Sequence, residues 1–84
     1  MPIDYSKLRN VTTREIIRAL RRDGFVFDRQ RGSHQQYIHP EDGRLVTVAY
    51  HRPGGTFSIG TLKAMIEGQA QWTEEDLKRL KLLK

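Results

Sequence analysis

The chain has 84 residues, 37% hydrophobic and 30% charged, with no cysteine and a formal net charge of +5. That length is one domain with a modest core, and it excludes a disulfide framework, a thiolate metal site and any apolar run near the ~18 residues of a membrane span. Met1-Pro2-Ile3-Asp4-Tyr5-Ser6-Lys7 holds no apolar core of signal-peptide length, so a cytoplasmic protein is expected, and the excess charge favours a polyanion such as nucleic acid as its partner.

Residues 1–10 show no clear period; Tyr5 and Leu8 either pack back on the body or belong to a frayed terminus. Thr12 fits the N-cap of a helix over about 13–23, with Glu15 closing a capping box and Val11 and Ile16 forming a hydrophobic staple. Ile16, Ile17 and Leu20 make its buried stripe, with Ala19 at the boundary. Arg14, Arg18, Arg21 and Arg22 make its basic outer side, and Gly24 suits its end. The period then changes to two. Phe25–Arg31 reads as a strand, Gly32-Ser33 as a short turn and His34–His39 as a second strand. Pro40-Glu41-Asp42-Gly43 is another turn, and Arg44–Tyr50 a third strand. Short turns in succession force an antiparallel meander.

His51–Phe57 is a loop. Ser58 caps a second helix carrying Ile59, Leu62, Met65 and Ile66 at helical spacing, which Gly68 is expected to end. Thr73 caps a short last helix with acids in its first turn, Leu77, Leu80 and Leu83 as its stripe, and Trp72 packing it to the body. Neither main helix can bury its stripe alone. The expected fold is therefore α+β, a two-layer α-β-β-β-α sandwich with a short extra C-terminal helix.

The chemistry concentrates in Arg29-Gln30-Arg31-Gly32-Ser33-His34-Gln35-Gln36-Tyr37. Histidine can take or give a proton near neutral pH. In RNA the 2′-OH is an internal nucleophile, so a base beside phosphate-binding cations can cleave the strand without metal. His34 fits that base. Arg29, Arg31, Ser33, Gln35 and Lys63 are the expected RNA contacts, with the arginines sharing the parity of one strand face. Tyr37, Tyr50 and Phe57 either stack on unpaired bases or belong to the core. His39 is expected to order the turn before Pro40, and His51 is a loop residue able to serve a proton or a phosphate. His34 and His39 face opposite sides of one strand, and no spacing assembles a metal site; no cofactor is expected. The Pro53-Gly54-Gly55 loop lacks P-loop spacing and reads as an ordinary connection, the alternative being a phosphate at the exposed N–H groups of the helix start over Ser58 to Thr61, with Lys63 in that first turn. These residues alone leave open a ribonuclease, an RNA-binding module without catalysis, and a basic face for a protein partner.

Glu15-Ile16-Ile17, Arg22-Asp23-Gly24-Phe25, Arg31-Gly32-Ser33-His34, His39-Pro40, Asp42-Gly43-Arg44, Val46 to Val48 and Gly60-Thr61-Leu62 occur in an order and spacing that resemble the HicA toxin family, over roughly residues 11–70. The resemblance implies a double-stranded-RNA-binding-domain-like fold and an mRNA interferase, an endoribonuclease that stops translation. It implies that the histidine of Gly-Ser-His, here His34, is catalytic and that a HicB-type antitoxin masks the site. Many members carry Gly-Ser-His-His, whereas Gln35 follows His34 here. Residues 1–10 are expected to be an extension and 11–84 the HicA-like domain. The antitoxin is expected to cover the site with acidic groups, since it competes with RNA.

Overall fold

The computed structural model describes residues 3–83. Helix α1 (Thr13–Arg22) starts where side chains replace missing backbone partners. Thr12 Oγ1 accepts from the Glu15 N–H at 3.2 Å, and Glu15 Oε1 accepts from the Thr12 N–H at 3.0 Å. The next N–H groups, of Thr13 and Arg14, donate to the carbonyls of Gly55 and Pro53 at 2.8 and 3.1 Å. The loop over 51–57 is thus pinned to the helix start, although it carries no regular structure. Ala19 is 1% exposed, a core residue rather than the boundary residue its small size suggested.

Three strands follow: β1 (Val26–Arg31), β2 (His34–Ile38) and β3 (Leu45–Ala49), an antiparallel meander in the order β1-β2-β3. The side-chain period of two divides the sheet. Tyr37, Val46 and Val48 are buried against the helices, while His34, Gln36, Ile38, Leu45, Thr47 and Ala49 take the alternate positions on the open face. Phe25 precedes β1 and is 1% exposed, but no residue of β1 itself is buried. The β1–β2 register shifts between Phe27 and Arg29, leaving Asp28 as a bulge. A bulge in an edge strand interrupts the row of free backbone groups and discourages further pairing.

The second helix departs from expectation. Helix α2 (Ile59–Lys63) widens into a π segment (Ala64–Gln69) that runs through Gly68, so Gly68 does not end it. The chain turns instead at Gln71, whose φ is 59°. Continuing to Gln69 lets its Oε1 accept the Thr47 N–H at 2.9 Å, which satisfies part of the β3 edge. Ile59 is 50% exposed and lies outside the buried stripe; Leu62, Met65 and Ile66 carry the packing. Helix α3 (Glu74–Arg79) has a second capping box, with Thr73 and Asp76 as its partners. Leu77, Leu80 and Leu83 are buried as its stripe. At the other end, Tyr5–Leu8 forms one 3₁₀ turn. Leu8 is fully buried and the Tyr5 hydroxyl donates to the Glu67 carboxylate, so this stretch packs on the body. The architecture is the α-β-β-β-α order of a double-stranded-RNA-binding-domain-like fold, with α3 added.

The end of α1 is the main junction. Gly24 has φ +100°, and a Cβ there would lie 2.9 Å from His39 Nε2. That nitrogen is 2.7 Å from the Asp23 carbonyl, while His39 Nδ1 accepts from the Glu41 N–H at 3.3 Å, which places the ring proton on Nε2. The Asp23 carboxylate accepts from Trp72 Nε1 at 2.8 Å and from Arg79 at 2.8 Å, with Arg44 at 3.3 Å. Burial pushes its pKa up, but these hydrogen bonds and charges outweigh burial and hold it below the ordinary carboxylate value.

Removing this carboxylate leaves Arg44 Nη2 and the Trp72 N–H without their acceptor at a site only 11% exposed. Asp23→Ala is expected to cost about 3 kcal/mol and lower Tm by more than ~10 °C. Because the folded pKa is depressed, the carboxylate's contribution is present above the unfolded value of ~3.9 and is lost as pH falls through the folded value. Thermal unfolding of both proteins between pH 7 and pH 2 checks this: the difference in Tm should shrink below about pH 4.

Candidate nucleic-acid interface

The β1–β2 hairpin positions the histidine. Arg31 pairs with His34, so the turn between them is Gly32-Ser33 alone. Gly32 has φ +59° while Ser33 does not enter the left-handed region, the pattern of a type II′ turn with glycine at its first central position. Gln30 Nε2 donates to the Gly32 carbonyl at 2.9 Å, and the Tyr50 N–H donates to the Ser33 carbonyl at 2.6 Å. The tip is therefore held from both neighbouring strands.

Register decides which side chains meet. Arg31 is opposite His34, Arg29 is opposite Gln36, and His34 is opposite Ala49. Arg29, Arg31 and His34 thus occupy one face of the sheet, the face without helices, and all three are exposed. Cross-strand partners have Cβ atoms ~5 Å apart, so the Arg31 guanidinium can reach an anion held at His34. Arg31 has no acidic partner within 4.0 Å among the described residues, and Arg29 pairs only with its exposed neighbour Asp28 at 3.2 Å. Such an exposed pair is worth little and yields readily to a phosphate.

The two strand histidines differ in kind. Both ring nitrogens of His39 are engaged and its ring packs edge-on against Phe25 at 5.1 Å, so it orders the turn. Among the described residues none hydrogen-bonds the exposed His34 ring. Gln35 lies on the opposite face from His34. Its Oε1 accepts from the Tyr37 hydroxyl at 2.7 Å, on the helix side of the sheet. Burial pushes the Tyr37 pKa up, with Arg21 opposing, so this hydroxyl stays a donor at neutral pH. Ser33 is half-buried in the turn itself. Lys63 opens onto another depression, shared with Tyr5, Glu67 and Trp72. Arg14, Arg18 and Arg22 lie exposed on α1, on the helix side and away from the face that carries His34.

A cleft of about 570 Å³ adjoins the end of β3, with Thr13, Ala49, His51, Arg52, Phe57 and Thr61 among its walls. Apart from Thr13 of α1, its walls come from the stretch 49–61, which runs from the end of β3 through the loop to the start of α2.

A family model described as the HicA toxin of bacterial toxin-antitoxin systems matches residues 13–72. That span includes α1, the whole sheet and the second helix. The chain belongs to the HicA toxin family. It is accordingly the toxin side of a toxin–antitoxin pairing. No curated protein matches the chain. The matched span contains the Gly-Ser-His turn and the Asp23–Trp72 bond, while Tyr5–Leu8 and α3 lie beyond it.

In this HicA-family chain, the residue after the turn histidine supports Tyr37. Gln35→Ala leaves a buried hydroxyl without its acceptor and is expected to cost about 1 kcal/mol. Urea unfolding of the variant beside Tyr37→Phe checks it: the phenylalanine variant removes the buried donor and leaves the half-buried Gln35 amide within reach of water, so it should lose less.

Proposed function

We propose that this toxin is a metal-independent endoribonuclease acting on mRNA with His34 as its proton-transfer residue. The observation that carries the reading is the shared open face: an exposed, unengaged histidine at a fixed turn, with Arg31 opposite it and Arg29 beside it.

The chemistry follows from RNA's own structure. A ring nitrogen of His34 takes the proton of a 2′-OH, whose oxygen then bonds to the adjacent phosphorus. The P–O5′ bond breaks, giving a 2′,3′-cyclic phosphate, and the departing 5′-oxygen takes a proton from the medium or back from the histidine. Arg29 and Arg31 hold the phosphate and meet the charge that builds on its oxygens, with Ser33 and the turn's backbone N–H groups as further donors. Gln35, turned to the helix side, stands outside that grip, and Lys63 would touch only RNA that extends around the domain. A cytoplasmic setting fits a target of mRNA. The HicB-type antitoxin of this reading covers the open face and presents carboxylates to the same arginines.

His34→Ala is expected to reduce cleavage of a long RNA by at least ~100-fold while binding changes little, because affinity rests on several phosphate contacts. Induced expression should arrest growth and fragment RNA with the native residue and do neither with alanine. Cleavage by cleanly purified His34→Ala protein at the native rate would refute the assignment. The arginines have a separate signature. Each of Arg29→Ala and Arg31→Ala should flatten the plot of log binding constant against log salt by about 0.7 on single-stranded RNA.

A further inference from the structure

A second open feature is the cleft at the end of β3. Its volume of about 570 Å³ falls among the ~300–1,000 Å³ typical of small-ligand sites. Its position is the first clue. Ala49 forms part of its wall and is the cross-strand partner of His34, and the following residue, Tyr50, bonds to Ser33 at 2.6 Å. Directly opposite residues lie ~5 Å apart and diagonal ones ~7–8 Å. A strand of RNA with its scissile phosphate at His34 therefore brings a neighbouring nucleotide to the cleft.

Its rigidity is the second clue. The 51–57 loop is bonded to the α1 start by Thr13 and Arg14, and Thr56 forms an isolated antiparallel bridge with Thr12. A site already shaped pays little ordering entropy on binding.

Its chemistry is the third. Its lining holds Arg52 and a histidine, His51, with no aspartate or glutamate. Arg52 is exposed and has no acidic partner within 4.0 Å among the described residues. Phe57 is half-buried against the core and offers an aromatic surface on which a base can stack. The Thr61 hydroxyl accepts from Ser58 Oγ at 2.9 Å, which leaves its own proton for an acceptor on a base. The other large cleft, of about 650 Å³, sets Glu67, Glu74 and Glu75 against the single cation Lys63, so acid prevails there. Of the two, only the cleft beside His34 suits a nucleotide.

We propose that this cleft is the binding subsite for the nucleotide next to the scissile bond, with Arg52 on its phosphate, Phe57 against its base and Ala49 and Thr61 setting which base fits. This deepens the ribonuclease reading and rests on it for the placement of the scissile phosphate. Ala49 is the size gate: its side chain is a single methyl on the open face, where a larger residue would fill the space without disturbing the core.

The test titrates the protein with each of the four nucleoside 3′-monophosphates and follows backbone amides by NMR. Saturable shifts at Ala49, Arg52, Thr56 and Thr61 are expected, with affinity differing between bases. Arg52→Ala should weaken binding by about 10-fold, the effect of losing one charge-assisted hydrogen bond. Ala49→Leu should abolish the base preference and, on a long RNA, change which base flanks the cut sites. Arg52 is exposed, so its variant keeps the test open even if the leucine variant folds poorly. The proposal is overturned if no nucleotide moves the cleft amides, or if cut sites and affinities are the same in both variants. Undiminished cleavage by His34→Ala would remove His34 as the proton-transfer residue, and no cleavage by the native protein would remove the ribonuclease reading alone; in either case the nucleotide shifts would still decide the cleft.

Discussion

One carboxylate gathers the ends of this fold. Asp23 sits just past α1, and its two oxygens receive an indole N–H from Trp72 and guanidinium groups from Arg44 and Arg79. Those partners come from the start of β3, the segment before α3 and the end of α3. The junction continues through apolar contacts. Arg44 lies 4.9 Å over the Phe25 ring, and Phe25 meets both His39 and Trp72 edge-on. Arg44 also donates to the Ala70 carbonyl. A domain this small cannot rely on core volume alone. It compensates by satisfying several charged groups on one acceptor, at a point where all layers converge.

Because that junction and the helices lie on one side of the sheet, the other side stays bare. The asymmetry produces the contrast between histidines. His39, just past β2 and near Asp23, is drawn into the junction with both ring nitrogens engaged. His34, at the opposite end of the same strand, is held only through its backbone and keeps its ring available. One short stretch thus holds a histidine fixed by the fold and another left exposed. Distance from the junction, not residue type, separates them.

Features set by near neighbours in the chain were legible from it. Both capping boxes depend on residues three apart, and the Thr12–Glu15 box and the Gly32-Ser33 turn were predicted where they occur. So was the shared parity of Arg29 and Arg31. Features set by distant partners were not. Asp23 contacts residues 49 and 56 positions away, and nothing in its local pattern distinguishes it from a solvated helix end. Gly68 reads as a stop, yet the helix passes through it because Gln69 has a β3 amide to satisfy. Ile59 fits the helical stripe, but α2 turns it outward. The orientation of Gln35 follows from strand parity, whereas its bond to Tyr37 needed the structure. The cleft was legible in part: nearly all its walls lie within 49–61, where His51 and the Ser58–Thr61 helix start already suited a phosphate, whereas the closing contribution of Thr13 from α1 needed the structure.

A shallow, bare sheet is a poor place for most catalysis, which gains from enclosure and exclusion of water. RNA cleavage is an exception, because the substrate carries its own nucleophile beside the bond that breaks. The protein then has to supply a proton acceptor, cations for the developing charge and a fixed distance between them. The hairpin provides that distance through its ladder register, which is rigid even where the side chains are fully exposed. Specificity is harder to obtain on an open face, since phosphate contacts position a strand without reading it. In the proposed reading, a pocket one step from the histidine, walled by a loop pinned to α1, is what would add the property the bare sheet lacks.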